Sequence, residues 1–310
     1  MDAVRLLDVG QARVNERGTG SPQYPPTLML GLLIYSYATG TFSSRQIERA
    51  TYENVAVRLL CADRHPDHDS ICTFRRTNGA LLQSSFEQVL AMAAQMRVLK
   101  VGQVTLAIDG TKILANASKH SAVSHGHATE QINFTDPESR IMNTPDGFEQ
   151  SYNAQAAVEI DSRLLVGVSV TDAPNDKEQL APTLAAVSAV IESVGAVLVD
   201  SGYYSAAAVA EAEKPSGDAA GPKIYAATER QPHGRTVQEL EKRADPPPPG
   251  PGASPKEKMK NRLQTKAGRE LYAQRKQTIE PIFGIIKETM GFRRFSLRGL
   301  KKVGTEWTLV

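Results

Sequence analysis

Cysteine is scarce: Cys61 and Cys72 are the only two among 310 residues. That spacing matches no zinc-ligand pattern, and two thiols cannot staple a chain this long, so both read as ordinary reduced side chains. Nowhere do eighteen apolar residues run together, so no helical membrane span is expected. The opening stretch MDAVRLLDVGQARVNERG lacks a signal-peptide core, which makes a cytoplasmic protein the expectation. No internal repeat is visible. Charge of one sign is lacking overall, the formal net being +2. At 41% hydrophobic and 23% charged, the composition is that of a globular protein, long enough for one large domain or two modest ones.

The distribution of charge says more than its sum. From Lys256 to Lys302 there are fourteen Lys or Arg against four Glu, a local balance of +10. Such a block is either a solvated face or a phosphate-binding surface.

The first hundred residues read as short helices. Residues 1–23 are polar and Gly-containing. Pro25 and Pro26 open an apolar run, Thr27 to Ala38, that Gly40 ends. Ser43 or Ser44 caps a second helix, Asp69 looks like the cap of a third, and a longer one is expected over Leu81 to Arg97. This arrangement is compatible with a helix-turn-helix DNA reader.

At Val101 the period changes. Val104 to Asp109 reads as a buried strand ending in a carboxylate, and Ala196 to Asp200 as another. Residues 115–150 read mostly as loop. Asn153 to Glu159 and Leu164 to Val170 form a hairpin, with Asp176 capping a helix from Lys177 to about Val194. A short helix over Ser205 to Lys214 and a strand over Lys223 to Ala227 follow. Residues 244–255 form a Pro-rich linker, and a basic helical region runs from Lys256 to Met290. The expected fold is α/β: an all-helical segment over residues 1–100, then a mixed-sheet domain over residues 101–310.

Ligands of open α/β sheets bind at the carboxyl ends of the strands. If the strands carrying Asp109 and Asp200 are neighbours, their carboxylates converge and repel unless a cation lies between them. Hard oxygen donors favour magnesium or manganese. Glu280 and Lys287 share a helix face, with Tyr272 and Lys276 two and one turns earlier on nearly the same face. Ile279, Phe283 and Ile286 make the adjacent core stripe. Pro281 suggests a fresh helix capped by Thr278.

The chain resembles the bacterial insertion-sequence DDE transposases with a ribonuclease-H-like catalytic core. The resemblance runs in order through LAIDGTKILANASKH, NFTDPESRIM, GFEQSYNAQAAVE, VLVDSGYY and RKQTIEPIFGIIKETMGFRRFSLRG, after a helical block from Tyr24 to Arg76. It implies that Asp109, Asp200 and Glu280 are the catalytic, metal-binding triad for two Mg2+ ions, with Mn2+ as substitute. It further implies that Tyr272, Lys287 and either Arg275 or Lys276 form the signature that contacts DNA, with Arg293, Arg294 and Arg298 on the basic surface. The implied partner is double-stranded DNA at terminal inverted repeats and at the target, held by a homodimer. An inactive DNA-binding relic and a nuclease without strand transfer are the competing readings.

The family usually carries a long charged segment between the NASKH and NFTDP blocks, where this sequence has about ten residues, and a closing apolar helix after the Glu helix. An exposed apolar patch around Phe283, Ile286, Leu300 and Trp307 is therefore expected. His65 to Asp69 reads as a capped loop rather than a metal site, and His120, His125 and His127 as part of a polar stretch. Asp136 and Arg140 read as steering DNA, as bracing the site, or equally as a turn with a salt bridge.

Overall fold

The computed structural model describes residues 2–13, 23–118, 121–124, 131–215, 220–229 and 244–310. His120, His125 and His127 lie outside them. Six helices come first: α1 (Asp2–Arg5), α2 (Pro26–Ala38), α3 (Ser44–Glu53), α4 (Val55–Leu60), α5 (His68–Thr77) and α6 (Gly79–Gln95). Pro25 and Pro26 start α2, where missing N–H groups cost nothing, and Gly40 closes it at φ +76°. The cap of α5 is Asp67, not Asp69: its carboxylate accepts from the Ser70 N–H at 2.8 Å, and Asp69 falls inside the first turn.

Strands β1 (Gln103–Leu114), β4 (Arg140–Thr144), β5 (Gly147–Glu159), β6 (Leu165–Thr171), β7 (Ser193–Val199) and β8 (Lys223–Ala226) form one sheet, and β2 (Ala122–Ser124) pairs β3 (Gln131–Asn133) in a small second one. The order across the large sheet is β4-β5-β1-β7-β8, with β6 also on β5. β1 is antiparallel to β5 and parallel to β7, and β7 is parallel to β8. This is the mixed sheet of a ribonuclease-H-like fold. The stretch 115–150, expected as mostly loop, supplies β4 and the start of β5; the antiparallel ladder Arg140↔Ser151 to Thr144↔Gly147 recruits polar residues that carry no strand signal of their own.

The helix expected from Lys177 to Val194 is far shorter. α7 spans Leu180–Ala185, after which the chain crosses β6 so closely that a Cβ on Gly167 would lie 2.9 Å from the Val187 Cα. The Ser188 N–H donates to the Val166 carbonyl at 2.7 Å, which fixes the crossing and ends the helix. Helix α8 (Ala206–Ala212) is capped by Ser205. After the Pro-rich stretch, Ser254 opens α9 (Pro255–Gln264) with a reciprocal capping box to Glu257, and α10 (Lys266–Gly284) follows. α10 runs unbroken through Pro281, so Thr278 caps nothing; its hydroxyl bonds back to the Gln274 carbonyl at 2.8 Å. A π-helical turn, Ile285–Thr289, and α11 (Leu300–Trp307) complete the chain.

One core cluster joins α2, α3 and α5 to Ile113 of β1, to Tyr152 and Ala154 of β5, and to Ile286, Phe292, Phe295, Val303 and Trp307. The exposed apolar patch expected there is absent. Trp307 and Ile286 are each 2% exposed, and Phe283 and Leu300 pack against the same cluster. The amphipathic helix α11 closes this core with Val303 and Trp307. The Trp307 indole N–H donates to the Gln155 carbonyl at 2.9 Å. Arg75, Tyr37 and Glu306 form a buried polar node within it: Arg75 donates to the Tyr37 hydroxyl at 2.6 Å, and that hydroxyl to Glu306 at 2.8 Å.

Several readings of isolated residues hold. Burial pushes the Cys61 thiol up to about 11, and both cysteines are free. His68 pairs with Glu48 at 2.8 Å and His65 stacks on Tyr52, an ordinary capped loop. Asp136 accepts from the Tyr152 hydroxyl at 2.8 Å and the Gly299 N–H at 3.1 Å, so it braces the fold, and Arg140 pairs with Asp172 at 3.3 Å. No helix among the described residues is long and apolar enough to cross a membrane.

Candidate active site

Asp109 lies within β1 rather than at its end, because the ladder to β5 carries the strand on to Leu114. It still marks a boundary: pairing with β7 stops at Ala107↔Leu198. Extending that parallel register by two residues sets Asp109 opposite Asp200. Alternation puts Asp109 on the face of Ala107, where Ile279 of α10 packs. Burial first, and the Asp200 charge after it, push the Asp109 carboxyl up to about 6, against the pull of Arg275.

Helix α10 lies across this face. The Tyr272 hydroxyl donates to the Val199 carbonyl at 2.9 Å, which fastens the helix to the end of β7. Arg275 donates to Asp109 Oδ2 at 3.0 Å and is 7% exposed. Lys276 faces solvent, so of the two candidates it is Arg275 that the helix brings to the acids. Lys287, in the π-helical turn, donates to the Lys112 carbonyl at 3.1 Å. The wide turn adds a residue to the helical register at the point where that side chain must reach β1. Arg293, Arg294 and Arg298 are exposed, while Phe292 before them and Phe295 and Leu297 between them are buried.

Glu280 does not join the two aspartates. Ile279 is buried on the sheet, and the next residue is turned about 100° around the helix, toward solvent. Among the described residues no three acidic, His or Cys side chains gather closely enough to hold a metal, so the expected triad cluster is not formed in this arrangement. Like charges at close range are unstable alone, and Arg275 is the counter-charge that Asp109 has instead.

A second polar group, not foreseen from the sequence, underlies the pair. Asp176, expected as a helix cap, accepts from Asn153 at 2.7 Å and from Gln155 at 2.8 Å through Oδ1, and its Oδ2 faces the Gly202 turn after Asp200. Tyr203 donates to Gln155 Oε1. The Asn153 side-chain Oδ1 is buried without a partner among the described residues. Gly110 makes room for this group, since a Cβ there would lie 2.4 Å from Gln155 Nε2 and 2.8 Å from Asp176 Oδ1. The signal in the sequence was Asn153 and Gln155 at alternate positions of a strand otherwise built of small apolar residues.

Asp109 and Asp200 offer hard oxygens of the kind a divalent cation takes, and burial, ahead of the Asp200 charge, raises the Asp109 pKa. A stability effect follows. An acid whose folded pKa is raised favours the fold below its unfolded value and loses that advantage as pH rises through the folded one. In chelator, Asp109→Asn is expected to raise the melting temperature at pH 7.5, by up to about 3 kcal/mol in stability, and to converge on wild type near pH 4. A variant less stable than wild type at pH 7.5 refutes the cost of burying the Asp109 charge.

Two family models match the chain. A Transposase domain (DUF772) matches residues 2–77, and a Transposase DDE domain matches residues 101–310. No curated protein matches. The second match covers more than half of the chain, and the order of strands agrees with it. The protein is an α/β enzyme of the ribonuclease-H-like nuclease and transposase class. It belongs to the transposase DDE family of insertion sequences, with DNA as the family's substrate.

Proposed function

We propose that the chain cuts the ends of its own insertion sequence and joins them to target DNA, with Asp109, Asp200 and Glu280 as the acids that hold two magnesium ions. The observation that carries this reading is that the parallel register of β1 and β7, extended two residues past its last pair, brings Asp109 opposite Asp200, with Asp109 pushed up to about 6 by burial and by its neighbour. When bound, the metals activate a water or a DNA 3′-hydroxyl and stabilise the leaving oxygen. The chain's own residues set the stage. Tyr272 ties α10 to β7, Arg275 orients the Asp109 carboxylate, and Lys287 lies at the edge of β1 where a phosphate would pass. Glu280, on the solvent side of α10, is the third acid of this reading. The N-terminal helices read the terminal repeats, and a homodimer holds both ends.

The test uses a duplex taken from the DNA that borders this reading frame. Magnesium-dependent nicking followed by joining of the cut end supports a transposase. Nicking without joining returns the chain to a plain nuclease, and no nicking in magnesium or manganese makes it a relic.

The exposed Arg293, Arg294 and Arg298 support non-specific affinity through phosphates. Replacing all three with Gln is expected to flatten the slope of log affinity against log salt by about 2 to 3, near 0.9 for each phosphate left unneutralised. An unchanged slope means that the basic segment is only a solvated surface.

A further inference from the structure

Between Ala107, where pairing with β7 stops, and Leu114, which is bridged by the segment around Arg294, no strand covers that side of β1 among the described residues. Two lysines border this open stretch. Lys287 reaches the Lys112 carbonyl at 3.1 Å, and the Lys112 side chain stands on the face of Gly110, above Asp176. Lys112 and Asp176 come no closer than 4.0 Å, and that carboxylate oxygen is already held by Asn153 and Gln155. Among the described residues the Lys112 ammonium donates no hydrogen bond, although its side chain is only 19% exposed. Its three donors are therefore open to an acceptor from outside the chain. The two lysines also repel each other, and burial makes the charge of each less favourable. An anion between them relieves both penalties.

We propose that Lys112 and Lys287 form a two-ammonium seat for one phosphate of the DNA strand being cut, at the open edge of β1 beside Asp109, with Asp176 aiming Lys112. This deepens the reading of the site given above and rests on it. Lys112 is then a substrate-positioning residue. Asp176 attracts its ammonium without capturing it, which keeps the donors available. A plain structural salt bridge would hold Lys112 at hydrogen-bond distance and leave it nothing to offer.

The experiment is single-turnover cleavage of the bordering-DNA duplex, with methylphosphonate replacing one phosphate at a time around the nick. Lys112→Gln is expected to slow cleavage about ten- to hundredfold, the worth of a hydrogen bond to a charged group, and Lys112→Arg to recover part of it. One neutral phosphate position should slow the wild type similarly and add nothing further to Lys112→Gln. Thermal melts of both variants check that the fold is kept. If Lys112→Gln cuts as fast as wild type, or if its effect adds to that of every methylphosphonate, Lys112 is only a partner of Asp176 and the seat does not exist. Asp200→Asn in the same assay separates the two levels. If it is inactive while Lys112→Gln cuts normally, only the seat falls; if it cuts normally, the active-site reading falls as well.

Discussion

Asp200→Asn is expected to lower magnesium-dependent cleavage about a thousandfold or more, with DNA affinity in chelator unchanged. The two effects separate because the side chain has two roles. As a structural group, its Oδ1 accepts from the Gly202 N–H at 2.7 Å, and the amide oxygen of Asn can do the same. As a charged group, it opposes Asp109 across the parallel pair β1 and β7, and Asn cannot. Cation affinity therefore falls while the turn at Ser201-Gly202 and the phosphate surface stay. Titration with Mn2+, followed by electron paramagnetic resonance, measures the drop in affinity independently of turnover. Glu280→Gln in the same two assays places the third acid: on the proposed reading it also abolishes cleavage, although it touches neither aspartate here. Near-normal cleavage by Asp200→Asn would remove the two-metal proposal.

The second large effect is expected far from the acids. Glu306→Gln should cost about 3–5 kcal/mol of stability, the usual penalty when one partner of a buried ion pair is removed. Glu306 and Arg75 are both buried, with Nη1 and Oε1 3.5 Å apart. Glu306 also accepts from Tyr37 at 2.8 Å and from the Ser296 and Leu297 N–H groups at 2.9 and 2.8 Å. Tyr37 and Arg75 come from the helical segment, the others from the C-terminal segment. Neutralising Glu306 leaves the Arg75 charge uncompensated in a shared core. Urea unfolding checks this, and Arg75→Met with Glu306→Gln should recover much of the stability. A cost below about 1 kcal/mol for Glu306→Gln would mean that the pair is not coupled. The stakes are functional, because α11 also seats Trp307 on the Gln155 carbonyl, directly behind the polar group under the acids.

Each residue's own character determined a large part of this protein. The apolar strands leading to Asp109 and Asp200, the switch of period at Val101, the helices expected over Thr27 to Ala38 and Leu81 to Arg97, and the helical character of α8 and α9 are all local signals, written in side-chain periodicity. So was the family, through blocks of sequence that only a shared ancestry keeps in order.

What the tertiary structure decided are the features that depend on pairing between distant residues. β1 passes Asp109 because β5 lies beside it, and β4 exists because β5 recruits it. Asp176 packs against β5 rather than capping a helix because Asn153 and Gln155 donate to its oxygen, and α7 stops where the chain must cross Gly167. The choice of Arg275 over Lys276 needed the phase of α10, which Ile279 sets by burying itself on the sheet. The closing of the core by Val303 and Trp307 needed the helical segment and β5 as partners. Local pattern fixes which face of an element is apolar; only packing fixes what that face meets, and hence which polar groups are carried into the site with it.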